Sequence, residues 1–190
     1  MKKTLHGAEL VPLPQLLIAI DPSTTRTGIA VFSGAPPNKS VFFRRAVAHE
    51  IRQRVPTRER IIEMANWIGE FVDQYHPDDL LSYAIVRELP YLGHDNPKTA
   101  LTLGRLWGAV DQRLAKLKIH DVEPASWQLP VLGLPADSDR EARGRMAQLY
   151  AEDIAGDKLG PDEASAVCLG VYYVQFVMGG PPVRKGLPRA

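Results

Sequence analysis

Residues 18–32 read IAIDPSTTRTGIAVF: two apolar runs divided by a turn of Pro, Ser and Thr, with one carboxylate, Asp21, at the end of the first run. No other stretch constrains the fold as strongly. A run of Ile, Ala and Val without polar alternation reads as a strand covered on both faces. Pro22 to Thr25, followed by Thr27 and Gly28, reads as the turn of a hairpin leading into a second strand. A sheet covered on both faces needs helices on each side of it. Asp21 then lies at the rim of a buried strand, where two readings stay open: a turn aspartate bonding its own backbone, or a functional carboxylate whose partners come from elsewhere in the chain.

The rest of the sequence supplies those helices. Strands near 16–21 and 27–33 precede the turn GAPPNKS and a third strand, VFFRRAVAHE. Pro56 and Thr57 open a helix whose apolar positions Ile61, Ala65, Ile68, Phe71, Val72 and Tyr75 recur at three and four residues. LSYAIVRE (81–88) is the next strand. Asn96 and Pro97 cap a long helix through Lys116, with the stripe Ala100, Leu103, Trp107, Val110, Leu114 and Leu117. A short strand IHDVE (119–123) leads into a loop holding Trp127 and several Pro and Gly residues. Ser138 with Glu141 forms a capping box for a helix to about Ile154, and Pro161 opens the last helix. The order βββαβαβαα predicts an α/β fold: a mixed five-stranded sheet flanked by helices on both faces. Residues 1–15 read as an irregular lead-in, 16–179 as the folded domain and 180–190 as a basic, proline-broken tail.

Composition excludes several classes. The 190 residues, 45% hydrophobic, suffice for one sizeable core. Lys and Arg total 23 against 22 acids, so any nucleic-acid surface is a local patch. The single cysteine, Cys168, rules out a disulfide framework or a cysteine metal site. The longest apolar stretch, AVCLGVYYV, is too short for a membrane span, and the first residues lack a signal-peptide core. A soluble, cytoplasmic protein with no membrane partner is expected.

Glu88 ends the apolar strand YAIVRE as Asp21 ends the first one. Carboxylates at two strand ends, with acids at a helix N-terminus, suit a hard divalent cation such as magnesium. In two-metal sites such ions, about 3.5–4 Å apart, brace the attacking and leaving oxygens of a phosphodiester. Asp157, Asp162 and Glu163 are candidates for a further ligand. Taken alone, Asp162 and Glu163 are better explained as first-turn acids that complement the helix dipole.

IAIDPSTTRTGIAVF resembles the first strand pair of RuvC-type Holliday junction resolvases, within the ribonuclease H-like superfamily. AIVRELPY followed by NPKTALTLGRLWGAV resembles their second acidic strand and long dimer helix. EPASWQLPVLGL, a basic helix and PDEASAVCLGVYY resemble their substrate loop and final acidic helix, especially in the bacteriophage-type branch. The resemblance spans about residues 16–175. It implies a ribonuclease H-like fold and a homodimer joined through the 97–116 helix. The implied activity is magnesium- or manganese-dependent cleavage of four-way junctions and other branched DNA, leaving 5′ phosphates. It carries the catalytic metal ligands to Asp21, Glu88 and Asp162. The family's last helix usually bears two aspartates three residues apart, and the second aligns with Ser165, which brings no charge. Three readings follow: Glu163 or Asp157 substitutes, the metal is held weakly, or the nuclease is inactivated and the protein only binds branched DNA.

The same resemblance places an aromatic that stacks on unpaired bases at Tyr91, where a loop aromatic covering the core edge is the alternative. It brings a basic residue near the start of the helix after the Trp127 loop to the scissile strand. Arg140 is assigned that role and Arg143 joins it, while Arg145 reads equally as a solvated face. Trp127 is either a loop anchor or a DNA contact, and Trp107 is core or dimer interface. The arginines at 44, 45, 52, 54, 58 and 60 form a second basic concentration, a rim for DNA or a solvated face. The histidines show no ligand spacing. DPSTTRTG also suits the phosphate hairpin of actin-like or sugar kinase ATPases, but those need two duplicated domains, and the chain has no internal repeat.

Overall fold

The computed structural model describes residues 16–35, 40–75, 83–89, 97–134 and 138–183. Their elements run β1 (Leu16–Asp21), β2 (Arg26–Ala35), β3 (Ser40–Glu50), α1 (Thr57–Asp73), β4 (Tyr83–Glu88), α2 (Pro97–Arg113), β5 (Ile119–Val122), α3 (Pro124–Leu132), α4 (Arg140–Ala155) and α5 (Pro161–Tyr172), which ends in a π-helical turn, Tyr173–Val177. The sheet order is β3-β2-β1-β4-β5. β1, β2 and β3 form an antiparallel meander, while β4 and β5 join it in parallel on the other side of β1. This is the mixed five-stranded α/β sheet expected from the sequence.

Strand alternation divides the core between the two faces. Leu17, Ala19, Ala30, Phe32, Ala84 and Val86 face α3, α4 and α5. Ile18, Ile20, Ile29, Val31, Tyr83 and Ile85 face α1 and α2. The stripe read on α1 is buried from Ile61 to Val72, joined by Met64, and that of α2 at Trp107, Val110 and, just beyond it, Leu114. α5 lies against β2 because Gly170 leaves room for the Phe32 ring; a Cβ there would sit 2.1 Å from it.

Two local readings need correction. The segment holding Trp127 is a helix, α3, and not a loop. Pro124 takes the first helical position, where a missing N–H costs nothing, and Gly133, at φ 63°, closes the helix by donating its N–H to the Leu129 carbonyl. The cap of α4 is Asp139 and not Ser138: its Oδ1 accepts the Ala142 N–H at 2.6 Å, because the helix begins one residue later than the capping-box spacing implied. The lead-in, the Asn96 cap and the tail beyond Val183 lie outside the described residues.

Candidate active site

The β1–β4 register sets the centre of the site. Ile20 lies beside Arg87 in parallel pairing, so the next residues, Asp21 and Glu88, are neighbours at the carboxyl ends of adjacent strands. Alternation turns both toward the α3–α5 side. That crevice at strand carboxyl ends is where open α/β sheets bind ligands.

A glycine brings the third acid in. Asp21 pairs with Gly28 across the hairpin, and a Cβ on Gly28 would lie 2.0 Å from the Asp162 carbonyl oxygen. Only a residue without a side chain lets the first turn of α5 rest on the β2 backbone opposite Asp21. One helical turn further, Ser165 donates its hydroxyl to the Asp21 carboxylate. The turn between the strands is held by Thr27, fully buried, which donates Oγ1–H to the Ser23 carbonyl at 2.8 Å and accepts the Ser23 N–H at 3.0 Å.

The electrostatics follow from burial and crowding. Burial first, and then the Asp162 charge, push the Asp21 carboxyl up to about 7 against the pull of the Ser165 hydrogen bond. Burial first, and then Asp21, raise Glu88 to about 8, against the Trp127 hydrogen bond. Asp162 is also raised by burial, which Arg26 opposes. Among the described residues neither Asp21 nor Glu88 has an ion-pair partner.

Asp162 and Glu163 do have one. Arg26, the first residue of β2, places Nε 2.9 Å from Asp162 Oδ2 and donates from Nη2 to Glu163 Oε2 at 3.2 Å. The Nε contact is ionic, without the alignment of a hydrogen bond. Glu163 is thus committed to Arg26. Asp157 is exposed and accepts the Lys158 N–H at 2.8 Å, as a turn residue does.

Trp127 is corrected from a DNA contact to a support of the site. Its ring is 2% exposed, and Nε1–H donates to Glu88 Oε2 at 2.7 Å. Of the two readings the sequence leaves open, a loop anchor or a DNA contact, burial within α3 behind Glu88 matches the anchor. Arg143 donates to Gln128 Oε1 at 2.9 Å, bracing α4 on α3, and Arg140 is exposed at the start of α4. Tyr91 lies outside the described residues. Trp107 is buried, with the Arg87 guanidinium 4.5 Å above its ring.

Sequence reading missed Arg26, Gly28 and Arg87. Arg87 carried a visible signal, a charge inside an apolar strand. Arg26 carried none, since its partners lie more than a hundred residues away.

A hard divalent cation fits part of this donor set. Asp21 and Glu88 offer half-buried carboxylate oxygens with no counter-charge among the described residues, the chemistry magnesium and manganese prefer. Among the described residues no three His, Cys, Asp or Glu side chains are grouped so as to hold one ion; Asp162 faces Arg26 instead.

No protein-family model matches the sequence, and no curated protein does. Solved structures do match in fold. A Thermus thermophilus RuvC in complex with Holliday junction substrate aligns with TM-score 0.64 and 16% identity, over 89% of this chain and 99% of that one. The yeast mitochondrial Holliday junction resolvase aligns with TM-score 0.56 and 10% identity, over 86% and 78%. A fowlpox virus resolvase bound to Holliday junction DNA aligns with TM-score 0.53 and 9% identity, over 83% and 95%. The chain has the RuvC-type, ribonuclease H-like fold.

Proposed function

We propose that the protein is a metal-dependent, structure-selective endonuclease that hydrolyses phosphodiesters in four-way junctions and other branched DNA. The observation that carries this reading is the pair Asp21 and Glu88, side by side and half-buried at strand ends, with no ion-pair partner among the described residues. The fold it shares with proteins solved on junction DNA supports the substrate class.

Asp21 and Glu88 would hold magnesium or manganese, with Asp162 beside them. A bound ion there supplies a nucleophilic water at neutral pH and charge for the leaving 3′ oxygen. Ser165 orients Asp21 by its hydrogen bond, and Trp127 fixes Glu88 while α3 closes off water behind it. Arg140, exposed and without an ion-pair partner among the described residues, would contact a phosphate, and the family resemblance gives Tyr91 the role of stacking on an unpaired base. Paired incisions call for two sites, hence a homodimer through α2. The exposed Leu101, with open space beside Gly104 and Gly108, supports that contact.

A second reading rests on Ser165: the protein binds branched DNA with a degraded nuclease site. One assay separates the two. The purified protein is incubated with a synthetic four-way junction or a linear duplex, with magnesium, manganese or chelator. Metal-dependent paired nicks confined to the junction support the endonuclease. Junction binding without nicks, turned into cleavage by Ser165→Asp, identifies the degraded site. Neither binding nor nicking sinks both.

A further inference from the structure

Asp21, Glu88, Asp162 and Glu163 crowd the site, and among the described residues one cation, Arg26, pairs with any of them. Among the described residues Asp21 and Glu88 have a hydroxyl and an indole donor. Asp162 and Glu163 share the guanidinium of Arg26. Where the resemblance calls for another acid on α5, Ser165 gives a neutral hydroxyl that is already spent on Asp21.

The Arg26 contact is built into the backbone. Arg26 begins β2, in register with Glu50 of β3. Its side chain passes over Gly160, the residue before α5, where a Cβ would lie 2.3 Å from Arg26 Nη2 and 2.4 Å from Glu163 Oε2. A side chain at 160 would make the ends of Arg26 and Glu163 shift from this arrangement. Two hard ions about 4 Å apart need carboxylates on both sides and one shared between them. Here the two carboxylates on the α5 side already share one positive charge that does not dissociate.

We propose that Arg26 takes the place of a second metal ion, so that the site accepts one divalent cation, at Asp21 and Glu88, while the guanidinium holds Asp162 and Glu163. This rests on the endonuclease reading and refines it: the positive charge on the α5 side of the phosphate is an arginine. The guanidinium carries five donors in a planar fork, and the two contacts to Asp162 and Glu163 leave others to face a phosphate oxygen.

The test counts ions. Mn2+ is titrated calorimetrically into the metal-free protein, with the electron paramagnetic resonance spectrum of bound Mn2+ recorded alongside. Wild type and Arg26→Lys are expected to bind one equivalent per chain, with the spectrum of an isolated ion. Arg26→Gln, which frees Asp162 and Glu163, is expected to bind two, with a spectrum broadened by coupling. Arg26→Met is carried in parallel so that a folded, uncharged variant is in hand. Two equivalents in wild type overturn the role of Arg26 and leave the endonuclease reading standing. One equivalent in folded Arg26→Gln or Arg26→Met overturns it equally. If wild type binds no Mn2+ that Asp21→Asn removes, both this proposal and the metal-dependent reading fall.

Discussion

Arg87 and Glu88 are consecutive residues of one strand and live in opposite electrostatic worlds. Arg87, only 3% exposed, turns toward α1 and α2, where Asp111 and Asp121 take its guanidinium at 2.8 and 2.9 Å and Trp107 lies flat beneath it. Glu88 turns toward α3 and α5, where it meets another carboxylate and one indole N–H. A buried charge is tolerated when partners satisfy it and is costly when they do not. The first charge ties α2 and β5 to the sheet. The second is left short of a counter-charge, and such a shortfall at a strand end is where a ligand can supply what the fold withholds.

The sharpest way to break that contrast is to remove a carboxylate from the unbalanced side. Asp21→Asn is expected to lower metal-dependent junction cleavage at least about a thousandfold, a loss of ~4 kcal/mol in transition-state stabilisation, without unfolding the protein. Cleavage at the wild-type rate would show that Asp21 is only a turn residue.

The next effect is on stability against pH. Asp21 and Glu88 hold their protons up to about 7 and about 8 in the folded protein, against ordinary carboxylate values in the unfolded chain. Between about pH 4 and pH 8 the folded state therefore binds more protons than the unfolded one, and stability falls as pH rises. Thermal melts of the metal-free protein should show a loss on the order of 6 kcal/mol between pH 5 and pH 8, both groups together. Asp21→Asn should flatten that slope, and Mg2+ at pH 8 should reverse it. A flat wild-type curve without metal would mean that the carboxylates are already neutralised. A variant on the Arg87 side tests the other half of the comparison. Arg87→Leu should lower the unfolding free energy in urea by about 2 kcal/mol, short of the ~3–5 kcal/mol for a fully buried partner, because Asp111 and Asp121 remain 55% and 39% exposed and can rehydrate.

The two sides also differ in how far the sequence revealed them. Asp21 and Glu88 were legible because each ends a run of Ile, Ala and Val, and a charge at such a place stands out. The sheet was legible because its turns carry Pro, Gly and Ser at fixed intervals. The α3 helix was misread because Pro124, Pro130 and Gly133 suggest a loop when counted as breakers, although Pro124 and Gly133 occupy the two helix ends that tolerate them. Arg26 was invisible because its role depends on Gly28 and Gly160 letting α5 descend onto β2, a tertiary event that no local spacing encodes. Glu163, offered as a substitute ligand, looked free for the same reason.

Two tryptophans finish the comparison, one on each side of β4. Trp107 presents its ring face to Arg87, and its Nε1–H is buried with no hydrogen-bond partner among the described residues. Trp127 presents its Nε1–H to Glu88 and uses the ring to fill the core behind it. Replacing each by Phe should therefore have unlike consequences. Trp107→Phe keeps a ring under the guanidinium and removes an unsatisfied donor, so stability and metal affinity should hardly move. Trp127→Phe keeps most of the packing and takes away the donor that orients Glu88 and draws its pKa down. Mn2+ affinity should fall roughly tenfold, about 1.4 kcal/mol, and the pH at which Mn2+ binds half-maximally should move upward, a shift that lost packing alone would not produce. Equal effects of the two substitutions on Mn2+ affinity would show that Trp127 is core and nothing more.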